Sequence, residues 1–148
     1  ALEVSKSRYK ERKDAMLAAL AEFFPKDVTW TKPEGGLFLW VTFPPYLNTE
    51  QLLPRAIEEG VAFVPGVYCY PDQRISSSMR LCYSFETPER IHEAIRRLSL
   101  CVQDRMALYR ACLEAALYLS LLILNLILLQ GSVKYGYKSC CHYGWSLI

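Results

Sequence analysis

Apolar and polar positions divide the first 98 residues into alternating helical and extended segments. Residues 3–24 lack Gly and Pro, and Met16, Leu20, Phe23 and Phe24 recur at helical spacing, so a helix is predicted there and Pro25 ends it. Residues 28–31 are short and β-rich. "KPEGG" (32–36) is a turn signal, and "LFLWVTF" (37–43) is a nearly continuous apolar strand stopped by Pro44-Pro45. A helix is expected over 49–59, with Thr49 as N-cap and Gly60 as its stop. Pro54 should kink that helix or delay its start. "VAFV" (61–64) reads as a buried strand, and Pro65-Gly66 opens a loop running to Ser78. In "MRLCYSF" (79–85), Met79, Leu81, Tyr83 and Phe85 share one face and Arg80, Cys82 and Ser84 the other. Thr87-Pro88-Glu89 then starts a helix whose stripe is Ile91, Ala94, Ile95 and Leu98. The order α-β-β-α-β-β-α predicts an α+β fold: a small antiparallel or mixed sheet packed by helices, with an extra hydrophobic helical tail.

That tail differs in composition. Residues 1–98 hold 13 of the 17 Lys/Arg, 13 of the 15 Asp/Glu and all 8 prolines, whereas residues 99–148 are Leu-rich. Two parts are expected, a body (1–98) and an atypical hydrophobic tail (99–148). The uncharged, Leu-rich stretch 115–129 has 15 residues, against the roughly 17–25 of a membrane helix, and Asn125 interrupts it. A buried or interfacial helix is the expectation, with no membrane partner. A shifted reading frame or unspliced translation would explain residues 101–148 as well as a genuine extension does.

A net charge of +2, with basic residues interleaved among acids, gives no reason to expect nucleic acid. The chain opens on Ala1 without a basic segment before an apolar one, so a secretory signal is expected to be absent or never part of this piece; the location expected, from the thiols, is cytoplasmic. The six cysteines have no repeated spacing and read as reduced thiols. Cys140, Cys141 and His142 are adjacent, unlike metal ligands spaced by two or more residues, so no metal site is expected. His92 is expected to be exposed on the last body helix.

Arg80 is the one residue in its strand that the sheet itself does not require. It could pair with a nearby Glu or point into water. "RYKERKDAMLAAL", "WTKPEGGLFLWVTFP", "EEGVAFVPG" and "MRLCYSFETPERIHEAIRRL" together supply a third reading. In order and spacing, over about residues 7–98, they resemble the C-terminal small domain of a fold-type I, pyridoxal-phosphate-dependent aminotransferase. The subgroup they resemble is that of the 2-aminoadipate, kynurenine and aromatic amino acid aminotransferases. The resemblance implies a substrate-binding Arg80 that grips the α-carboxylate. A planar fork of N–H donors matches a carboxylate in a way Lys cannot, and the small Cys82 and Ser84 would leave room beside it. It implies pyridoxal 5'-phosphate as the intact protein's cofactor, an amino acid and a 2-oxo acid as substrates, and a homodimer. No catalytic or cofactor-binding residue is expected within this chain. "SKS" at Ser5-Lys6-Ser7 imitates the family's cofactor-lysine segment but runs straight into a charged helix, so Lys6 is expected to be solvated. A fragment of the enzyme, inactive alone, is the first reading. An aminotransferase-like effector domain of a winged-helix transcription regulator, or an inactive remnant, is the alternative.

Overall fold

The computed structural model describes the backbone of residues 2–72 and 74–140, and side chains within 6–129. Its elements are α1 (Leu2–Phe23), β1 (Thr29–Trp30), β2 (Phe38–Thr42), α2 (Thr49–Glu58), β3 (Val64–Pro65), a 3-10 turn (Gly66–Cys69), β4 (Ser78–Cys82) and α3 (Pro88–Cys140). Among the described residues the four strands form one antiparallel sheet in the order β1-β2-β4-β3. The α+β expectation holds.

Pairing of β2 with β4 sets the two faces of the sheet. Leu39 faces Leu81 and Val41 faces Met79, all of them buried. Met16, Ala19, Leu20 and Phe24 of α1 and its end, Leu52 and Ala56 of α2, and Ile91, Ile95 and Leu98 of α3 complete that core. Cross-ties link the layers. Arg12 Nη1 donates to the Ser84 carbonyl, and Gln103 Nε2 donates to the Phe23 carbonyl at 3.0 Å.

Local chemistry explains where the elements depart from expectation. Asn48, not Thr49, caps α2: its side chain accepts from the Glu50 N–H at 2.9 Å. Thr49 is fully buried, and its hydroxyl points to the carbonyls of Ser78 (2.7 Å) and Ser76 (3.1 Å). Pro54 lies inside α2 without delaying its start. At the other end of α2, Gly60 takes φ +77, its N–H donates to Ile57 O, and the Val61 N–H donates to Ala56 O, each at 2.9 Å. This is a Schellman end with Val61 and Ala56 both buried. It commits the start of "VAFV" to closing the helix, and β3 shrinks to Val64–Pro65. β4 ends at Cys82, so Phe85 leaves the core face and is 85% exposed.

Gly36 adopts φ +91, which only Gly takes easily, but a Cβ there would meet nothing within 4 Å. Gly35-Gly36 therefore provides a backbone conformation, not a close approach. Close approach occurs at Gly66, where a Cβ would collide with the Ser76 side chain and sit 2.8 Å from the Ser78 carbonyl oxygen.

The chain divides into two compact units between Leu108 and Tyr109. Cys101, Val102 and Met106 belong to the core of the first, so that core continues two turns past Leu98. In the second unit, the side chains described from Tyr109 to Leu129 are exposed. The buried helix expected over residues 115–129 is therefore not seen among the described residues, and the interfacial alternative stays open.

Candidate functional site: a single arginine on the open face of the sheet

Arg80 lies in β4, bonded on one side to β2 and on the other to β3. Its register partners are Trp40 and Val64, and directly opposed residues of antiparallel strands share a face. Leu39, Val41, Met79 and Leu81 occupy the core side. Arg80 is thereby placed on the side away from the core, together with Trp40 and the Phe38–Cys82 pair.

The guanidinium carbon sits 4.3 Å from the centroid of the Phe38 ring, a cation–π stack. Phe38, Ala62, Phe63, Val64, Arg80 and Cys82 line a shallow concavity of about 210 Å³. Among the described residues Arg80 is the sole cation in that lining, and no carboxylate joins it. Among the described residues Arg80 makes no ion pair, whereas Arg55, Arg90, Arg96 and Arg97 all do. Cys82 Sγ and Ser84 Oγ lie 3.0 Å apart, so these two small groups satisfy each other beside the fork. Further along, Trp40 meets the Tyr70 ring edge-on at 6.0 Å, and Arg74 stacks 4.0 Å over Tyr70. The sequence pattern singles out Arg80, Cys82 and Ser84 but not the aromatic residues beside them. Alternation within "LFLWVTF" carries that signal, since it puts Phe38 and Trp40 opposite Leu39 and Val41.

A larger concavity of about 560 Å³ lies along α3, and its lining includes Glu86, Glu89, Arg90, Glu93 and Arg97. Its charges largely pair with one another: Arg90 with Glu86 at 3.2 Å and Arg97 with Glu93 at 2.7 Å. Arg96 and Arg97 together hold the Glu93 carboxyl down to about 2. Such a surface selects no single ligand charge. His92 is exposed as expected and lies 3.1 Å from Glu22. Among the described residues no group of three His, Cys, Asp or Glu could hold a metal. Cys140, Cys141 and His142 lie outside the described side chains.

The concavity at Arg80 suits a carboxylate. The guanidinium supplies a charged, two-pronged donor, and Phe38 restrains its plane. The same lining offers no amine to bond an aldehyde, no acid to hold a pyridine nitrogen and no helix start to cradle a phosphate. These residues alone do not fit pyridoxal phosphate. They fit a carboxylate.

The family model for aminotransferase class I and II matches residues 1–98. The chain belongs to that family. It is 44% identical over 98 residues to aromatic-amino-acid aminotransferase 1 of Thermococcus litoralis, covering 66% of this chain and 24% of the relative. It is 40% identical over 107 residues to the 2-aminoadipate transaminase of Thermus thermophilus, covering 72% of this chain and 27% of the relative. Among solved structures it is similar to LysN, the alpha-aminoadipate aminotransferase of Thermus thermophilus, complexed with N-(5'-phosphopyridoxyl)-L-leucine. That match has a TM-score of 0.70 and 40% identity, over 72% of this chain and 28% of that one. The chain thus spans about a quarter of the length of the relatives it matches.

Proposed function

We propose that this chain is the carboxylate-gripping part of a pyridoxal-phosphate-dependent aminotransferase. The intact protein moves an amino group between an amino acid and a 2-oxo acid, in the cytoplasm and as a homodimer. The observation that carries this reading is Arg80. It is a cation without an ion-pair partner among the described residues, stacked on Phe38 at 4.3 Å, in a concavity free of carboxylates. Family membership adds the chemistry: pyridoxal phosphate, when bound, carries the amino group between the two acids. The cofactor is held by residues other than those of this concavity.

Within that reaction Arg80 has a binding role. Its two parallel N–H donors fix the α-carboxylate and so set where the α-carbon lies. Both the amino acid and the oxo acid carry this carboxylate, so the same fork serves both half-reactions.

Two measurements test the proposal. The full-length protein containing this sequence, supplied with pyridoxal phosphate, is expected to convert an α-amino acid and 2-oxoglutarate into the corresponding oxo acid and glutamate. The chain alone is expected to retain no visible cofactor absorbance after dialysis. A full-length protein that binds the cofactor and DNA without transaminating any amino acid would transfer the reading to a transcription regulator. A chain that alone holds one equivalent of cofactor on a single lysine would refute the assignment of roles.

A further inference from the structure

Residues 109–129 of α3 are solvent-exposed on every side, and this is the largest feature the aminotransferase reading leaves unused. Leu121, Leu122, Ile123 and Leu124 are consecutive, exposed and apolar, and together make a full helical turn; Leu126, Ile127, Leu128 and Leu129 make the next. A helix that docks on another protein needs an apolar stripe, with polar residues opposite. This one has no polar side. Apolarity on all faces matches a surrounding hydrocarbon phase and not a groove.

Length and flanks agree with that environment. The helix is long and apolar enough to cross a bilayer, and none of that stretch is buried. The uncharged run does not stop at Leu129. Gln130-Gly131-Ser132-Val133 prolong it, so Glu114 and Lys134 bound the segment 115–133. The backbone is helical throughout, which makes this run about 28 Å long, against about 30 Å of hydrocarbon in a bilayer. Tyr109 and Arg110 precede it, and Lys134, Tyr135, Tyr137 and Lys138 come after it. Tyr and Lys/Arg are the residue types that anchor a span at the two headgroup layers. Within the run, the Ser120 hydroxyl donates to the Leu117 carbonyl at 2.7 Å, so it needs no water. Asn125 is the one amide near the middle of the run.

We propose that residues 115–133 cross a lipid bilayer as a single helix, tethering residues 1–108 to the membrane surface. This inference does not depend on the aminotransferase reading.

The test uses the whole chain, synthesised in the presence of phosphatidylcholine–phosphatidylglycerol vesicles and floated on a density gradient. Two single-cysteine variants are made by changing the other five cysteines to Ala, one keeping Cys112 and the other Cys140. Both are expected to float and to resist alkaline carbonate. Cys112 should react with a membrane-impermeant maleimide on intact vesicles, and Cys140 only after detergent. Leu124→Arg should lower the floated fraction several-fold. Three results would overturn the proposal: a chain that stays in the dense fractions, as an oligomer or aggregate; Cys140 labelled on intact vesicles, as in a helix lying on the surface; or L124R floating as well as the parent.

Discussion

The Arg80 guanidinium carbon lies 4.3 Å from the centroid of the Phe38 ring, and the two residues come from adjacent strands paired in antiparallel register. The ring covers one face of the fork and leaves its N–H edge for a ligand. On the proposed function, Arg80→Lys in the full-length protein should keep the fold and lose one prong. A hydrogen bond to a charged group is worth about 1.5–3 kcal/mol, so kcat/KM for α-amino acids should fall roughly ten- to a hundredfold. Phe38→Leu removes the stack, worth about 0.5–1 kcal/mol at an exposed site, and should raise KM roughly two- to fivefold. Amines without an α-carboxylate should be nearly indifferent to both changes. If Arg80→Ala destabilises the protein but leaves kcat/KM intact, the arginine serves only the sheet.

Thr49 should matter for stability, not activity. Its buried hydroxyl ties α2 to the Ser76 and Ser78 carbonyls. Thr49→Val keeps the shape and leaves those oxygens short of a donor, at about 1–3 kcal/mol. Thr49→Ser should recover most of it. Urea denaturation of both variants is the measurement, and equal midpoints would mean that the hydroxyl is dispensable.

Arg80 is legible in the sequence because strand alternation isolates a lone charge. Phe38 is less so, because both faces of "LFLWVTF" are apolar and the pattern alone does not say which looks outward. Pairing with β4 decides it. At α2 the sequence offers Asn48 and Thr49, both good caps; the choice is tertiary, since Ser76 and Ser78 lie 27 and 29 residues away from Thr49. The end of the packed core is hidden for a similar reason. A change in composition near Leu98 marks where charge and proline become scarce. Burial of Cys101, Val102 and Met106 instead comes from what α3 packs against.

Glu93 should give the body an acid-sensitive contribution. Hydrogen bonds from Arg96 and then Arg97 lower its carboxyl from 4.5 to about 2. A depressed carboxylate stabilises the fold above its unfolded value and loses that contribution as pH falls toward the folded one. Glu93→Gln should therefore be less stable than the parent at pH 7, with the gap closing between about pH 4.5 and 2. The groups are exposed, so the gap should be small and should shrink in high salt. A gap that persists unchanged at pH 2 would assign the loss to packing.

Gly66 is predicted to be intolerant of any side chain. The Cβ of Gly66→Ala would meet the Ser76 side chain and lie 2.8 Å from the Ser78 backbone oxygen. The serine can turn; a carbonyl inside the sheet cannot move without disturbing β4. Overpacking of this kind costs roughly 1–3 kcal/mol. Adding Ser76→Gly should restore only part of it. Full recovery in the double variant would put the clash on the side chain alone.

The packed core of the body ends at Met106 among the described residues. Val102 is fully buried and Met106 is 2% exposed, while Leu119 is 59% exposed. Truncation of a buried Met to Ala costs about 2–5 kcal/mol, a large share of the roughly 5–15 kcal/mol that holds a domain of this size together. Met106→Ala should therefore lower the unfolding free energy clearly, and Leu119→Ala should change it by no more than about 0.5 kcal/mol. A chain cut after Ser99 loses Cys101, Val102 and Met106 together and should unfold or aggregate. A chain cut after Leu108 keeps all three and sheds the exposed leucines, so it should be the more soluble of the two and keep a cooperative transition. Equal stability of the two truncations would show that α3 contributes nothing to the core beyond Leu98.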